Sequence, residues 1–197
     1  MTDPTPGIDA RRTALLVMDY QNGIVGRLGD DAEALLARVA QAIKVVRQHG
    51  GHIGYVRVAF EDADFDAIPP TSQFAALVAS SGRAMHAGSP VTAVHESVAP
   101  EPGDIMVRKT RVGAFSTTDL AEQLRARQID TLVLAGISTS GCVHSTVLDA
   151  YDRDYRVIVL SDAVADRDEA VHSFLLEQVF PKRGEVIDVR ELHSLLH

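Results

Sequence analysis

Three side chains with complementary chemistry stand where hydrophobic runs of the sequence end. Asp19 follows Thr13–Met18 (TALLVM), Lys109 closes Asp104–Lys109 (DIMVRK), and Cys142 lies just beyond Thr131–Gly136 (TLVLAG). Each has an ordinary explanation on its own: a turn-forming aspartate, a solvated lysine, a small buried thiol. Together they supply a nucleophile and the groups that activate it. A free thiol with its usual pKa of ~8.5 is mostly protonated at neutral pH. A helix beginning near Gly141-Cys142 would favour the anion through its unpaired N–H groups, and a nearby Lys109 ammonium would favour it further. Asp19 can accept the thiol proton and pass it to a departing amine. Backbone N–H groups around Ser138 and Cys142 can hold the oxyanion of a tetrahedral intermediate.

The elements that must position these groups alternate strand and helix. The predicted strands are Thr13–Met18, Ile53–Phe60, Asp104–Lys109, Thr131–Gly136, Arg156–Leu160 and Glu185–Val189. A helix carrying Leu35, Leu36, Val39, Ile43 and Val46 is expected to be capped by Asp30 or Asp31 and to end at Gly50-Gly51. Further helices are predicted around Phe74–Val78, from Thr117 or Thr118 through Leu120 and Leu124, from Gly141-Cys142 to about Asp152, and over Asp168–Phe180 before Pro181. Residues 80–103, rich in Gly, Ser and Pro, read as irregular. This alternation implies an α/β fold: a three-layer α/β/α sandwich with a six-stranded, mainly parallel sheet and helices on both faces. Ligands in such sheets sit beyond the carboxyl ends of the strands, where the three reactive residues fall.

The chain has 197 residues, 19 Lys+Arg against 27 Asp+Glu (net charge −8), 46% hydrophobic and 23% charged residues, and one cysteine. This length suits a single domain spanning residues 1–197, with 1–12 as a polar, Pro-containing N-terminal extension rather than a signal peptide. The composition excludes wholesale disorder, collagen and coiled coil. Acidity without a Lys/Arg run argues against nucleic acid as a partner, and no apolar run approaches the ~18 residues needed to span a membrane. One cysteine cannot form an internal disulfide. The expectation is a cytoplasmic globular protein acting on a small molecule.

The residues quoted above resemble those of the isochorismatase-like cysteine hydrolases, which include nicotinamidases, N-carbamoylsarcosine amidases, maleamate amidases and isochorismatase. The resemblance runs from about Ala14 to Val189. It rests on Asp19-Tyr20-Gln21-Asn22, on Lys109 followed by Arg111, Phe115, Thr118 and Leu120, on Gly136…Thr139-x-x-Cys142-Val143-x-x-Thr146, and on Ser161-Asp162-Ala163. It implies a catalytic Asp19-Lys109-Cys142 triad, a cis peptide at Ile137-Ser138, and an oxyanion site formed by the Ser138 and Cys142 N–H groups. It further implies cleavage of an amide or carbamoyl C–N bond through a Cys142 thioester, and a homo-oligomer, dimer or tetramer.

The chain departs from the zinc-binding nicotinamidases. After the second strand it reads Val58-Ala59-Phe60-Glu61-Asp62-Ala63-Asp64, without the histidine that a metal site there requires. No metal and no cofactor are therefore expected, and Glu61, Asp62, Asp64 and Asp66 read as a solvated acidic loop. Gln21, Arg111, Phe115, Ile137 and His144 are candidate substrate contacts, Arg111 because its planar fork suits a carboxylate. His86 and His95 are candidates for a pocket rim, and Asp162 and Asp166 for bracing the loop after the fifth strand. Two other functions fit less of the pattern. A vinyl-ether hydrolase relying on Asp19 has no need of Cys142, and a non-catalytic binding module has no need of the Gly136–Cys142 segment. A dinucleotide site is disfavoured because Gly23, Gly26 and Gly29 do not give the Gly-x-Gly-x-x-Gly spacing.

Overall fold

Every residue of Thr13–Met18 is buried, so a strand there has to be covered on both faces. The computed structural model describes residues 7–197. Its strands are β1 (Thr13–Met18), β2 (His52–Val58), β3 (Ile105–Lys109), β4 (Thr131–Ile137), β5 (Arg156–Ala165) and β6 (Glu185–Ile187). All pairings are parallel, in the order β3-β2-β1-β4-β5-β6. The helices are α1 (Asn22–Val25), α2 (Ala32–Gln48), α3 (Asp62–Asp66), α4 (Gln73–Ser81), α5 (Leu120–Ala126), α6 (His144–Tyr151), α7 (Glu169–Phe174) and α8 (Val189–Leu195).

The two-residue period of β1 divides the core. Leu15 and Val17 face a cluster that includes Val39 and Val46 of α2 and Leu192 of α8. Ala14, Leu16 and Met18 face the opposite cluster, with Leu120 and Leu124 of α5 and Val147 and Ala150 of α6. The strand order reverses between β1 and β4, and the crevice at their carboxyl ends is where a doubly wound sheet opens to ligands.

Several local expectations need correction. Neither Asp30 nor Asp31 caps α2 through its side chain; Gly29–Asp31 form a 3-10 turn that runs directly into the helix. Thr117 takes φ 62° in the turn before α5, and that helix starts at Leu120. The Thr118 hydroxyl donates to Ala114 O and only weakly meets the Leu120 N–H, at 3.4 Å. Residues 80–103 hold three 3-10 turns, Gly82–Met85, Pro90–Thr92 and Glu96–Val98. β5 runs five residues past Leu160 because a register shift near Leu134/Gly136 lets it rejoin β4 at Val164 and Ala165. The helix expected over Asp168–Phe180 is α7 followed by a π turn (Leu175–Val179) and a 3-10 turn (Phe180–Lys182). Of the expected N-terminal extension, residues 1–6 lie outside the described residues. The remainder packs on the fold: Ile8 and Ala10 are buried, and Ile8 bridges to Leu196. No helix among the described residues is long and apolar enough to cross a membrane.

Candidate active site

At the end of β1 the chain turns sharply. Asp19 takes φ 60°, a left-handed conformation that aspartate tolerates better than most residues. Its N–H still donates to Val56 O at 2.8 Å, and the Gln21 N–H returns to Asp19 O at 2.8 Å. The turn leaves the Asp19 carboxylate at the mouth of the crevice. Lys109, at the end of β3, reaches across β2 to place Nζ 2.7 Å from Asp19 Oδ2. Its ammonium also donates to the carbonyl of Val112. Both ends of this ion pair are buried, with side-chain exposures of 1% for Lys109 and 7% for Asp19.

β4 ends in a cis peptide between Ile137 and Ser138, followed by a π-helical turn over Thr139–Val143 that continues as α6. Cys142 lies inside this turn rather than at a helix start, and its thiol donates to Ile137 O at 3.2 Å. Gly136 permits the close packing: a Cβ there would lie 2.9 Å from Val143 Cγ2 and 3.3 Å from Cys142 Sγ.

The electrostatics differ from the expected resting thiolate. Burial, and then the charge of Asp19, push the Cys142 thiol up, and Lys109 offsets only part of this. Burial likewise raises the Asp19 carboxyl against the lowering effects of Lys109 and of the Cys142 thiol. Asp19 Oδ1 is buried and, among the described residues, has no hydrogen-bond partner of good geometry. Burial thus favours a neutral Cys142 thiol at rest, beside an Asp19 carboxyl whose charged form is supported by the Lys109 ammonium. Moving the proton from Sγ to Asp19 leaves the net charge unchanged and exchanges one ion pair, Asp19–Lys109, for another, thiolate–Lys109.

These groups open into one cavity of about 290 Å³ lined by Asp19, Gln21, Lys109, Arg111, Ile137, Ser138 and Cys142. Its apolar walls include Ile24, Phe74, Leu77, Val78, Met85, Val91 and Val112, and Arg27 joins Arg111 as a second guanidinium. Gln21 is there, but its amide is engaged elsewhere. Nε2 donates to Val58 O and Thr92 O, both at 2.9 Å, and Oε1 accepts the Val58 N–H at 2.8 Å. Arg111 lies with Cζ 5.7 Å from the Phe74 ring centroid and donates to Thr110 O at 2.6 Å.

Two proposed contacts do not reach the cavity. Phe115 is buried against Tyr155, ring centroids 5.9 Å apart, with Arg153 Cζ 4.9 Å from its centroid; core packing holds it away from the pocket. His144 points toward Phe180, 6.1 Å between centroids, because two residues along a helix turn a side chain away from the thiol. Nor do the rim histidines line it. His86 accepts from Gly88 N and faces Glu61 and Asp62, and His95 accepts from Ser97 N at the start of a 3-10 turn.

The acidic loop is paired, with Asp62 to Arg83 and Asp64 to Arg108. Among the described residues no three His, Cys, Asp or Glu side chains are grouped to hold a metal ion. The aromatic wall is Phe74, which the sequence reading missed. The sequence places the variable pocket wall in 60–90 without singling out Phe74, because the apolar residues Phe74, Leu77 and Val78 run around much of the short α4.

The described fold matches known proteins along nearly its whole length. The isochorismatase domain model matches residues 13–191. The maleamate amidohydrolase of Pseudomonas putida is 31% identical over 90% of this chain and 83% of its own. The ureidoacrylate amidohydrolase of Methylobacterium radiotolerans is 33% identical over 98% and 83%. A cysteine hydrolase from Pseudomonas syringae pv. phaseolicola superposes with a TM-score of 0.86 at 26% identity, covering 98% of this chain and 97% of that one. The shared six-stranded architecture and the extent of these matches lead to one assignment: the chain belongs to the isochorismatase family and is one of its hydrolases.

Proposed function

We propose that this hydrolase cleaves the C–N bond of a small amide or carbamoyl compound carrying an acid group, through a thioester on Cys142. The observation that carries the reading is the convergence of Asp19, Lys109, Ser138 and Cys142 on one cavity. Asp19 takes the Sγ proton as sulfur bonds to the carbonyl carbon, and the ammonium of Lys109 steadies the thiolate as it forms. The oxygen of the tetrahedral adduct meets the N–H groups of Ser138 and Cys142. Asp19 then gives its proton to the departing nitrogen, the C–N bond breaks, and ammonia or an amine leaves. Water, deprotonated by Asp19, attacks the thioester, and the proton returns to sulfur as the acid departs.

The acid group follows from the walls. Arg27 and Arg111 both line the cavity, and neither has an ion-pair partner among the described residues. Both named relatives act on compounds that are themselves acids, maleamate and ureidoacrylate. The test is turnover of maleamate, ureidoacrylate and N-carbamoyl amino acids by the wild type and by Cys142→Ala and Cys142→Ser. Losing the nucleophile should cost kcat on the order of 10⁴-fold or more. Retention of turnover by either variant would sink the thioester route. We also propose a homo-oligomer, supported by the exposure of Phe174 and Tyr151 (59% and 51%) outside the cavity, with light scattering as its measurement.

A further inference from the structure

The turn that carries Cys142 is held from behind as well as from the pocket side. Asp166 Oδ2 accepts the Ser140 N–H at 2.7 Å, and the Thr139 hydroxyl lies 2.8 Å from His172 Nδ1. Neither Asp166 nor His172 lines the substrate cavity; both line a separate hollow of about 310 Å³ on the far side of the turn. The two contacts belong to one closed circuit. Asp166 Oδ1 accepts the Asp168 N–H at 3.3 Å, Asp168 caps α7 by accepting the Val171 N–H at 3.1 Å, and α7 carries His172 back to Thr139.

We propose that Asp166 and His172 are positioning residues that fix the Ser138–Cys142 segment so that its N–H groups point at the oxyanion. The inference rests on the reading of Ser138 and Cys142 given above. The first N–H groups of a helical turn have no partner within the helix, and each must find one. Asp166 satisfies the N–H of Ser140, midway between the two donors assigned to the oxyanion. That fixes the peptide plane between them without consuming either donor. A carboxylate suits this place because negative charge beside the start of a helical segment is favourable. Burial pushes Asp166 up, but the hydrogen bonds from Ser140 and from the Asp168 and Arg167 backbone bring it below the ordinary carboxylate range, so it accepts as an anion throughout the working pH range. His172 fixes the adjoining residue, which leaves the turn little freedom to rotate about its entry. Donors held by such supporting contacts can stay aimed where charge develops.

The experiment separates aim from reactivity with two probes of the same sulfur. Acetaldehyde adds to Cys142 as the S–C bond forms and the thiol proton passes to the aldehyde oxygen, which occupies the oxyanion position. Iodoacetamide alkylates the same sulfur by displacing iodide, with no oxyanion. The acetaldehyde dissociation constant is read from its protection of Cys142 against iodoacetamide, followed by intact mass. Asp166→Ala should raise that constant about tenfold or more while the alkylation rate stays within about twofold. His172→Ala should shift it in the same direction. Asp166→Asn, whose amide oxygen still accepts the Ser140 N–H, should recover most of the wild-type value.

An unchanged constant in Asp166→Ala, or a raised constant with a comparably lowered alkylation rate and a lowered Tm, overturns the positioning role. A wild type that neither alkylates nor binds the aldehyde overturns the reading of Cys142 and this inference with it. The two failures are distinct, since one appears in the wild type and the other only in the variants.

Discussion

Lys109 carries a charge almost wholly out of water, and its stability rests on what surrounds Nζ. Asp19 and the Val112 carbonyl supply two partners, and Asp19 Oδ1, without a well-aligned hydrogen bond among the described residues, leaves the pair incompletely satisfied. A buried pair of this kind is usually no more stable than a well-packed apolar replacement, whereas removing one partner strands the other. Asp19→Asn should therefore cost about 3–5 kcal/mol in urea unfolding. The double change Asp19→Leu with Lys109→Met should restore stability to the wild-type level or raise it by about 1–4 kcal/mol, with turnover abolished in both proteins. If the double variant is the less stable of the two, the pair is a net structural asset. The sign of the thiol shift gives a second expectation. Burial raises the Cys142 thiol, so the thiolate fraction is small at neutral pH and grows as pH rises. Alkylation by iodoacetamide should still be climbing at about pH 10, beyond the plateau an ordinary thiol of pKa ~8.5 would show. A plateau near pH 7 would mean that Lys109 outweighs burial.

Among the elements, β4 and the turn that carries Cys142 meet in close contact at Gly136. Gly136→Ala would drive a methyl against Val143 and the sulfur. Overpacking of this kind costs about 1–3 kcal/mol, and here the strain falls on the sulfur to which the proposed reaction assigns the attack. The variant should lose turnover more than tenfold by that displacement while its Tm falls by only a few degrees. Wild-type turnover in Gly136→Ala would show that the turn can move aside freely.

At this scale the sequence was legible where a strand end fixes direction. Asp19, Lys109 and Cys142 stand together because β1, β3 and β4 are parallel, so their carboxyl ends share one edge. It was not legible where a side chain's azimuth decides. Phe115 and Phe74 are both aromatics near the site, and only the packing of α5 and Tyr155 against one and the open side of α4 beside the other separates core from wall. The role of Gln21 was hidden for a related reason: its amide substitutes for a strand partner at Val58, a contact 37 residues away in the chain.

The whole molecule combines a net charge of −8 with a cavity lined by Lys109, Arg27 and Arg111 against the one carboxylate of Asp19, so the cavity wall is positive on balance. An acidic body repels anions at long range, while a cationic cleft draws them in within about a Debye length, ~8–10 Å near physiological salt. For an acid-bearing amide, kcat/KM should fall as ionic strength rises. Replacing Arg27 and Arg111 with alanine should raise KM about 10–100-fold and flatten that dependence, with little effect on a neutral amide of the same size. Equal losses for charged and neutral amides would mean the guanidiniums serve only to pack. The parallel sheet and its central crevice follow from the alternation of buried strands and helices. The wall facing it does not, because residues 60–92 make α3, α4 and short turns that meet through contacts between separate segments, such as Phe60 with Phe65 and Phe74 and Arg108 with Asp64, rather than through a period in the sequence.

The sulfur of Cys142 rests as a thiol donating to the Ile137 carbonyl, only 3% exposed. Peroxide attacks thiolates, and access governs how fast. This cysteine should accordingly survive hydrogen peroxide far longer than the low-pKa nucleophiles of redox sensors, and become vulnerable chiefly when a bound ligand draws its proton onto Asp19.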